Sequence, residues 1–326
     1  MDVKDIKKVL VIGGTGTMGQ GIAQGFAEAG LEVVITGRSN ETCDRAIAQI
    51  GENLKLCQEY STLKEDPAKI KSRISAAATV DYADLANTCN YVVETVSENL
   101  DLKKAIFKQL DVIRPEIIIG SDTSSCPVGS IAEGCRTPER MIGIHYFNPA
   151  HIMPLVEIHY GPQTSPEAIA VTRELMTLAG KTPVVIKKDI FGLLGTRFQL
   201  AMIREIESLL AQDVASLEDL NLVAQASYAM RYACIGHIEA LDMIGLDTMA
   251  VIENRIFPEL SDAKGPTPML TDKVAKGHLG VKTGRGWFSY DGIPREKVLD
   301  SQNKRLLKQL KLFQENTAAE KVYKNE

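Results

Sequence analysis

Three glycines near the start of the chain have the spacing that cradles a phosphate. Gly14, Gly16 and Gly19 form G-x-G-x-x-G within GGTGTMG. In such a loop the first glycine permits a tight turn, the second lets a pyrophosphate approach the backbone, and the third lets a helix pack closely on a strand. Thr17 and Met18 open that helix, whose free N–H groups and positive dipole end favour phosphate. The pattern alone is weak, but here it follows an apolar run and precedes helical spacing, which makes it a dinucleotide site. Farther on, at the end of the second strand, a carboxylate would normally accept hydrogen bonds from the ribose hydroxyls. This chain has Gly37 there, followed by Arg38 and Ser39. Without the carboxylate a 2′-phosphate meets no repulsion. Arg38 can pair with it through its planar fork, and Ser39 can donate a further hydrogen bond. The reading is NADP(H) favoured over NAD(H); the alternative has Arg38 stacked on adenine or turned to solvent.

Those glycines need a sheet beneath them. Residues 7–13, 32–36, 90–96, 116–122, 140–147 and 182–188 read as short apolar strands. Residues 17–30, 41–59, 101–113 and 166–180 carry helical spacing between them. Such alternation predicts a parallel sheet covered on both faces. From 193 to about 312 the spacing is helical, broken only by an expected strand at WFSY (287–290). A capping box is expected at Ser216 and Asp219. The last 30 residues are rich in Lys, Glu and Gln and read as a solvated helix and tail.

The chain has 326 residues, 44% hydrophobic, with a net charge of −5. That balance disfavours disorder, and nothing basic or aromatic forms a stripe for nucleic acid. No apolar run is long enough for a membrane span, and the first residues lack a signal peptide's pattern. The six cysteines show no zinc or disulfide spacing and read as reduced, mostly buried thiols in a cytoplasmic protein. No metal is expected.

Two further segments stand out: SDTSSCP (121–127), and GIHYFNPAHIMPLVEI (143–158) with His145, Asn148 and Glu157. Together with FGLLGTRFQLAMIREIESLL (191–210), IGLDTM (244–249) and LGVKTGRGWFSYDG (279–292), they resemble the L-3-hydroxyacyl-CoA dehydrogenase family. That family's signature is H-x-F-N-P-x-x-x-M-x-L-V-E. The likeness runs from residue 7 to 292. It implies an α/β fold: an N-terminal Rossmann, doubly wound, mostly parallel sheet (1–188) binding NAD(P), then an all-α substrate and dimerisation domain (189–295), then a C-terminal helix and tail (296–326). It also implies a homodimer through the helical domain, whose helices show apolar faces in excess.

The resemblance makes His145 the general acid/base, which suits an imidazole that titrates near working pH. Glu157 would orient the ring and stabilise its charged form. Ser124 would hydrogen-bond the substrate oxygen. Glu98 and Lys103 match positions near the nicotinamide and its ribose. His151, His159, His237 and His278 read as structural or surface, and Asn148 as shaping the turn before Pro149.

Departures from the family are equally informative. Thr196 stands where the family has an Asn that donates to the substrate carbonyl, so a shorter donor is expected there. Asp122 replaces the Asn of S-N-T-S-S and adds a possible negative charge. Leu56 and Tyr60 fall where CoA-active members carry lysines facing the CoA phosphates. Pro154 in IMPLVE, with TRFQLAMIRE and MRYACIG, is similar to the gulonate and carnitine dehydrogenase and lambda-crystallin subgroup. The expectation is an NAD(P)-dependent dehydrogenase that interconverts a 3-hydroxy substrate, CoA ester or free acid, and its 3-keto form. The alternatives are a dehydrogenase of a non-CoA hydroxy acid and a crystallin-like cofactor-binding protein with little catalysis.

Overall fold

The computed structural model describes residues 1–188 and 190–318; Asp189 and the tail expected beyond 318 lie outside the described residues. Strands β1 (Lys8–Ile12), β2 (Glu32–Gly37), β3 (Ile74–Ala78), β4 (Tyr91–Glu94), β5 (Ile118–Ser121), β6 (Met141–Tyr146), β7 (Leu155–His159) and β8 (Thr182–Val185) form one sheet. Their order is β3-β2-β1-β4-β5-β6-β7-β8. All neighbours are parallel except β6 and β7, which run antiparallel with His145 opposite Glu157.

Helices α1 (Thr17–Glu28), α2 (Asn40–Glu59), α3 (Pro67–Lys71), α4 (Ala83–Asn87), α5 (Leu100–Leu110), α6 (Val128–Ile131) and α7 (Pro166–Leu178) lie between the strands. The strand period of two divides the core cleanly. Val9 and Val11 of β1 join a cluster with Ile22 and Phe26 of α1, Ile50 of α2 and Leu175 of α7. Leu10 and Ile12 of the same strand join a second cluster with Phe107 and Leu110 of α5 and Ile131 of α6. This two-sided burial is why the strands read as continuous apolar runs.

Two strands were not read from the sequence. β3 is ISAAA, a small-residue edge strand without an apolar run. β7 sits inside the His–Glu motif and was not set apart from it. Conversely, WFSY is not a strand: among the described residues only isolated bridges pair Gly280 with Arg285 and Arg285 with Ser289.

The chain divides into two units. The first runs from Met1 to Leu194 and includes Leu306–Leu310. The second begins at Gly195 and carries most of α8 (Leu194–Ala211), then α9 (Leu217–Ala224), α10 (Met230–Tyr232), α11 (His237–Ile244), α12 (Leu246–Ile256) and α13 (Pro268–Ala275). Glu205 and Glu207 of α8 accept hydrogen bonds from Ser261 N–H and the Thr267 hydroxyl. The expected capping box is half formed. Ser216 accepts from Asp219 N–H at 3.0 Å, but the Asp219 carboxylate takes the Ser216 hydroxyl. Ala240 is the one buried residue of this unit among the described residues.

The last helix, α14 (Arg295–Ala318), is mostly exposed, as expected of a solvated element, but carries one short packed stripe. Its Leu306, Leu307 and Leu310 pack on Leu56, Cys57, Tyr60 and Leu63 at the end of α2 and on Ile152. The apolar stripe is short and diluted by charges, so composition concealed it. The thiols follow the expectation: all six are unbridged, with Cys43, Cys57 and Cys89 buried, Cys126 and Cys135 half-buried, and Cys234 exposed.

No helix among the described residues is long and apolar enough to cross a membrane.

Candidate active site

The carboxyl ends of the parallel strands gather the expected groups. At the end of β1 the left-handed residue is Gly13, with φ +79°, rather than Gly14. Gly14 is required for another reason: a Cβ there would sit 2.5 Å from Ile35 Cβ. At Gly19 a Cβ would meet Gly13 O at 2.5 Å, so α1 touches the loop backbone. At Gly16 a Cβ would meet nothing closer than Gly13 O at 3.3 Å, which leaves room above the backbone. Gly16 is the N-cap and has no side chain to bond the helix end. Among the described residues, the N–H groups of Thr17, Met18 and Gly19 have no backbone acceptor. This cradle of free donors fits a pyrophosphate. Met18 itself packs partly against the core, so its backbone, not its side chain, serves the cradle.

Gly37 ends β2, and its lack of a carboxylate has a steric cause. A Cβ there would lie 2.5 Å from Thr15 Cγ2 and 2.9 Å from Cys43 Sγ. Arg38 is exposed. The Ser39 hydroxyl is occupied locally: it caps α2 by accepting from Thr42 N–H at 3.3 Å and meets the Thr42 hydroxyl.

His145, at the end of β6, is buried, and its Nδ1 lies 2.8 Å from Glu157 Oε2 on β7. The other oxygen of Glu157 accepts from Leu194 N–H at 2.8 Å. The Phe147 ring lies 4.6 Å from the imidazole. Lys181 pins the connection between the two strands by donating to Ala150 O at 2.5 Å and Met153 O at 3.1 Å. Burial pushes that ammonium down to about 8. Beside it His151 is half-buried, and burial together with Lys181 pushes its imidazole down to about 4. The His159 ring lies over Gly143, where no Cβ would fit.

Lys103 and Glu98 take different positions from one another. Lys103 is fully buried and donates to Glu94 at 2.9 and 3.0 Å. It also stands 3.5 Å from Glu98. Glu98 is partly exposed and accepts from the Thr123 hydroxyl at 2.7 Å and from Ser125 N–H and hydroxyl at 2.8 Å. Burial opposes its charge, but these donors and Lys103 win and hold it down to about 2. Ser124 donates to Glu98 through its N–H at 3.1 Å and its hydroxyl at 3.5 Å, and the residue lines a cavity of about 150 Å³ with Cys126, His159 and Gly192. Thr196 lies in the first turn of α8, partly exposed, in the helical unit.

Glu94, Thr95, Thr123 and Ser125 were not singled out from the sequence. Glu94 had a signal: a carboxylate ending a strand, nine residues before a lysine on the following helix. Asp122 accepts from Tyr146 N–H at 3.0 Å and from the Thr95 hydroxyl at 2.8 Å. Burial pushes its carboxyl up to about 6, against the pull of those two donors, His145 and Lys103.

A nucleotide cradle at one strand end and a histidine–carboxylate pair at another define a dinucleotide-dependent dehydrogenase. Residues 8–190 match the 3-hydroxyacyl-CoA dehydrogenase NAD binding domain, and residues 192–290 match the C-terminal domain of the same enzymes. The chain belongs to the 3-hydroxyacyl-CoA dehydrogenase family. It is 32% identical over 308 residues to a 5-formyl-3-hydroxy-2-methylpyridine 4-carboxylate 5-dehydrogenase of Mesorhizobium japonicum, covering 93% of this chain and 96% of that one. A crystal structure of a dehydrogenase of that name, described as an NAD+ dependent dismutase, superimposes with a TM-score of 0.87 at 28% identity, covering 95% of this chain and 99% of that one. An (S)-3-hydroxybutyryl-CoA dehydrogenase from Ralstonia eutropha gives a TM-score of 0.70 at 35% identity, covering 88% and 99%.

Proposed function

We propose that this dehydrogenase interconverts a 3-hydroxy acid and its 3-keto form, with His145 as general acid/base. The observation that carries the reading is the 2.8 Å contact between His145 Nδ1 and Glu157. With Nδ1 held by the carboxylate, Nε2 is the atom left to accept the hydroxyl proton. Glu157 fixes the ring and stabilises the imidazolium that results. Ser124 hydrogen-bonds the substrate oxygen, and Thr196 supplies the donor to the developing carbonyl oxygen. Bound nicotinamide supplies the hydride acceptor. Glu98, oriented by Lys103, lies on the nicotinamide side, and the Gly14–Gly19 loop takes the pyrophosphate. Arg38, exposed and free of an opposing carboxylate at position 37, favours NADP(H) over NAD(H).

A free acid suits this chain better than a CoA ester. Leu56 and Tyr60 carry no cation and pack partly buried against the Cys57, Ile152 and Leu307 cluster, so they offer a phosphate no charge. The exposed Phe198, Ile238, Met243 and Phe257 of the helical unit support a homodimer formed through that unit. The unbridged thiols support a cytoplasmic setting.

The test is initial rates with NADH and NADPH on acetoacetyl-CoA and on a panel of free 3-keto acids. Turnover of a free acid without turnover of the CoA ester is expected; the reverse pattern overturns the substrate reading. His145→Gln should lose most activity, and near-normal turnover would remove the base assignment.

A further inference from the structure

The run LGVKTGRGWFSY (279–290), to which the proposed reaction gives no part, folds back on itself beside the end of α13. Gly280 N–H donates to Arg285 O at 2.7 Å, Gly286 N–H to Phe288 O at 2.9 Å and Tyr290 N–H to Gly284 O at 2.8 Å. A Cβ on Gly286 would lie 2.7 Å from Gly280 Cα, so the two arms of the loop touch. Loop and helix together line a cavity of about 380 Å³. Met269, Trp287 and Phe288 give it apolar surface. Lys273, Lys276 and Arg285 give it three cations against one carboxylate, Asp272, and His278 adds an imidazole. Every one of these residues belongs to the helical unit.

The cations differ in what holds them. Lys273 is engaged: its ammonium donates to Gly286 O at 3.2 Å and sits 4.9 Å from the centre of the Trp287 ring. Lys276 and Arg285 are exposed, and among the described residues neither side chain has a hydrogen-bond or ion-pair partner. The negative end of α13 accounts for a lysine in its last turn or just beyond it, but not for Arg285, which lies on the loop. In a chain of net charge −5, unpaired positive charge gathered on one cavity favours an anion there. The planar fork of Arg285 suits a phosphate, and Lys276 supplies a second charge on the same cavity. A phosphate brings close to two negative charges where a carboxylate brings one, and the apolar wall suits an organic body. We propose that this cavity binds a small organic phosphate. The proposal stands apart from the reaction assigned to His145, because none of its residues takes part in that reaction.

Trp287 is the one tryptophan of the chain, so its emission reports on this cavity. The probe is phenyl phosphate, added to the full-length protein at neutral pH; benzoate, with the same ring and a single charge, is the comparison at equal ionic strength. Phenyl phosphate should change the Trp287 emission saturably, and benzoate should not do so over the same concentrations. Added salt should raise the phenyl phosphate midpoint. In Arg285→Ala and in Lys276→Ala the midpoint should rise about tenfold, the scale of a charged hydrogen bond. Either variant decides the point should the other fold poorly. Lys282→Ala removes an exposed cation that does not line the cavity and should leave the midpoint unmoved. The proposal is overturned by an emission that never saturates, by equal midpoints for benzoate and phenyl phosphate, or by midpoints unmoved in both cavity variants. An equal rise in Lys282→Ala would also overturn it, since the general field of the surface would then bind the anion. Inactivity or activity of His145→Gln bears on neither result.

Discussion

Glu157 Oε1 accepts the backbone N–H of Leu194 at 2.8 Å, so the residue that opens α8 is tied to the carboxylate that orients His145. Glu157 thus spends one oxygen on the imidazole and the other on the chain leaving the sheet. Replacing it by Gln offers an amide that cannot satisfy both donors. Glu157→Gln should lower kcat by roughly 10²- to 10⁴-fold, the range of a positioned acid–base group, with a smaller change in KM. Steady-state rates across substrate concentration check it, and an unchanged kcat would show that the carboxylate does not serve the base.

Lys103 presents a different dependence. Its ammonium is buried against Glu94, itself fully buried, and stands 3.5 Å from Glu98. Lys103→Met leaves a buried carboxylate without its partner, a loss of about 3–5 kcal/mol, measurable by urea unfolding at pH 7. Glu98 gives the pH signature. Its carboxyl is held down to about 2, below the ordinary 4.5, so its contribution to stability is complete above 4.5 and is lost as the pH falls through 2. Unfolding between pH 4.5 and 2 should show a decline that Glu98→Gln flattens. The decline is modest because the side chain is about a third exposed.

The sequence disclosed the strands that are apolar on both faces, because nothing but a two-sided core asks for runs such as VLVI and EVVIT. It concealed β3, whose alanines carry no pattern, and β7, whose LVEIH alternates within a motif already claimed by chemistry. Within the site, His145, Glu157 and the glycine loop were legible as types at fixed spacing. The buried status of Lys103, the five hydroxyl and amide donors on Glu98, and the occupation of Ser39 by its helix cap are products of packing. So is the role of Leu306–Leu310, where three leucines in a charged helix reveal nothing until α2 lies opposite.

Arg38 and Gly37 make a cofactor prediction with two arms. Arg38→Ala should raise the KM for NADPH by about tenfold, the scale of a charged hydrogen bond, while the KM for NADH stays within about twofold. Gly37→Asp tests whether a carboxylate alone restores NADH preference. A Cβ at 37 lies 2.5 Å from Thr15 Cγ2, so the side chain must displace the phosphate loop. That variant should lose about 1–3 kcal/mol of stability and weaken both cofactors. An Arg38→Ala enzyme with equal losses for the two cofactors would mean that the guanidinium touches a part they share.

Leu307 is 1% exposed although it lies on a helix whose residues are mostly charged or polar. It meets Cys57 of α2 and Ile152 of the segment between His145 and Glu157. Leu307→Ala should cost about 2–5 kcal/mol, as deletion of a buried leucine side chain does. It also leaves Ile152 underpacked two residues from Pro154, so kcat should fall more than cofactor binding, which depends on the glycine loop. Urea unfolding together with NADPH titration checks both halves. A stable Leu307→Ala protein with normal kcat would mean that α14 merely rests on α2, and that the face beneath it is open to a longer substrate.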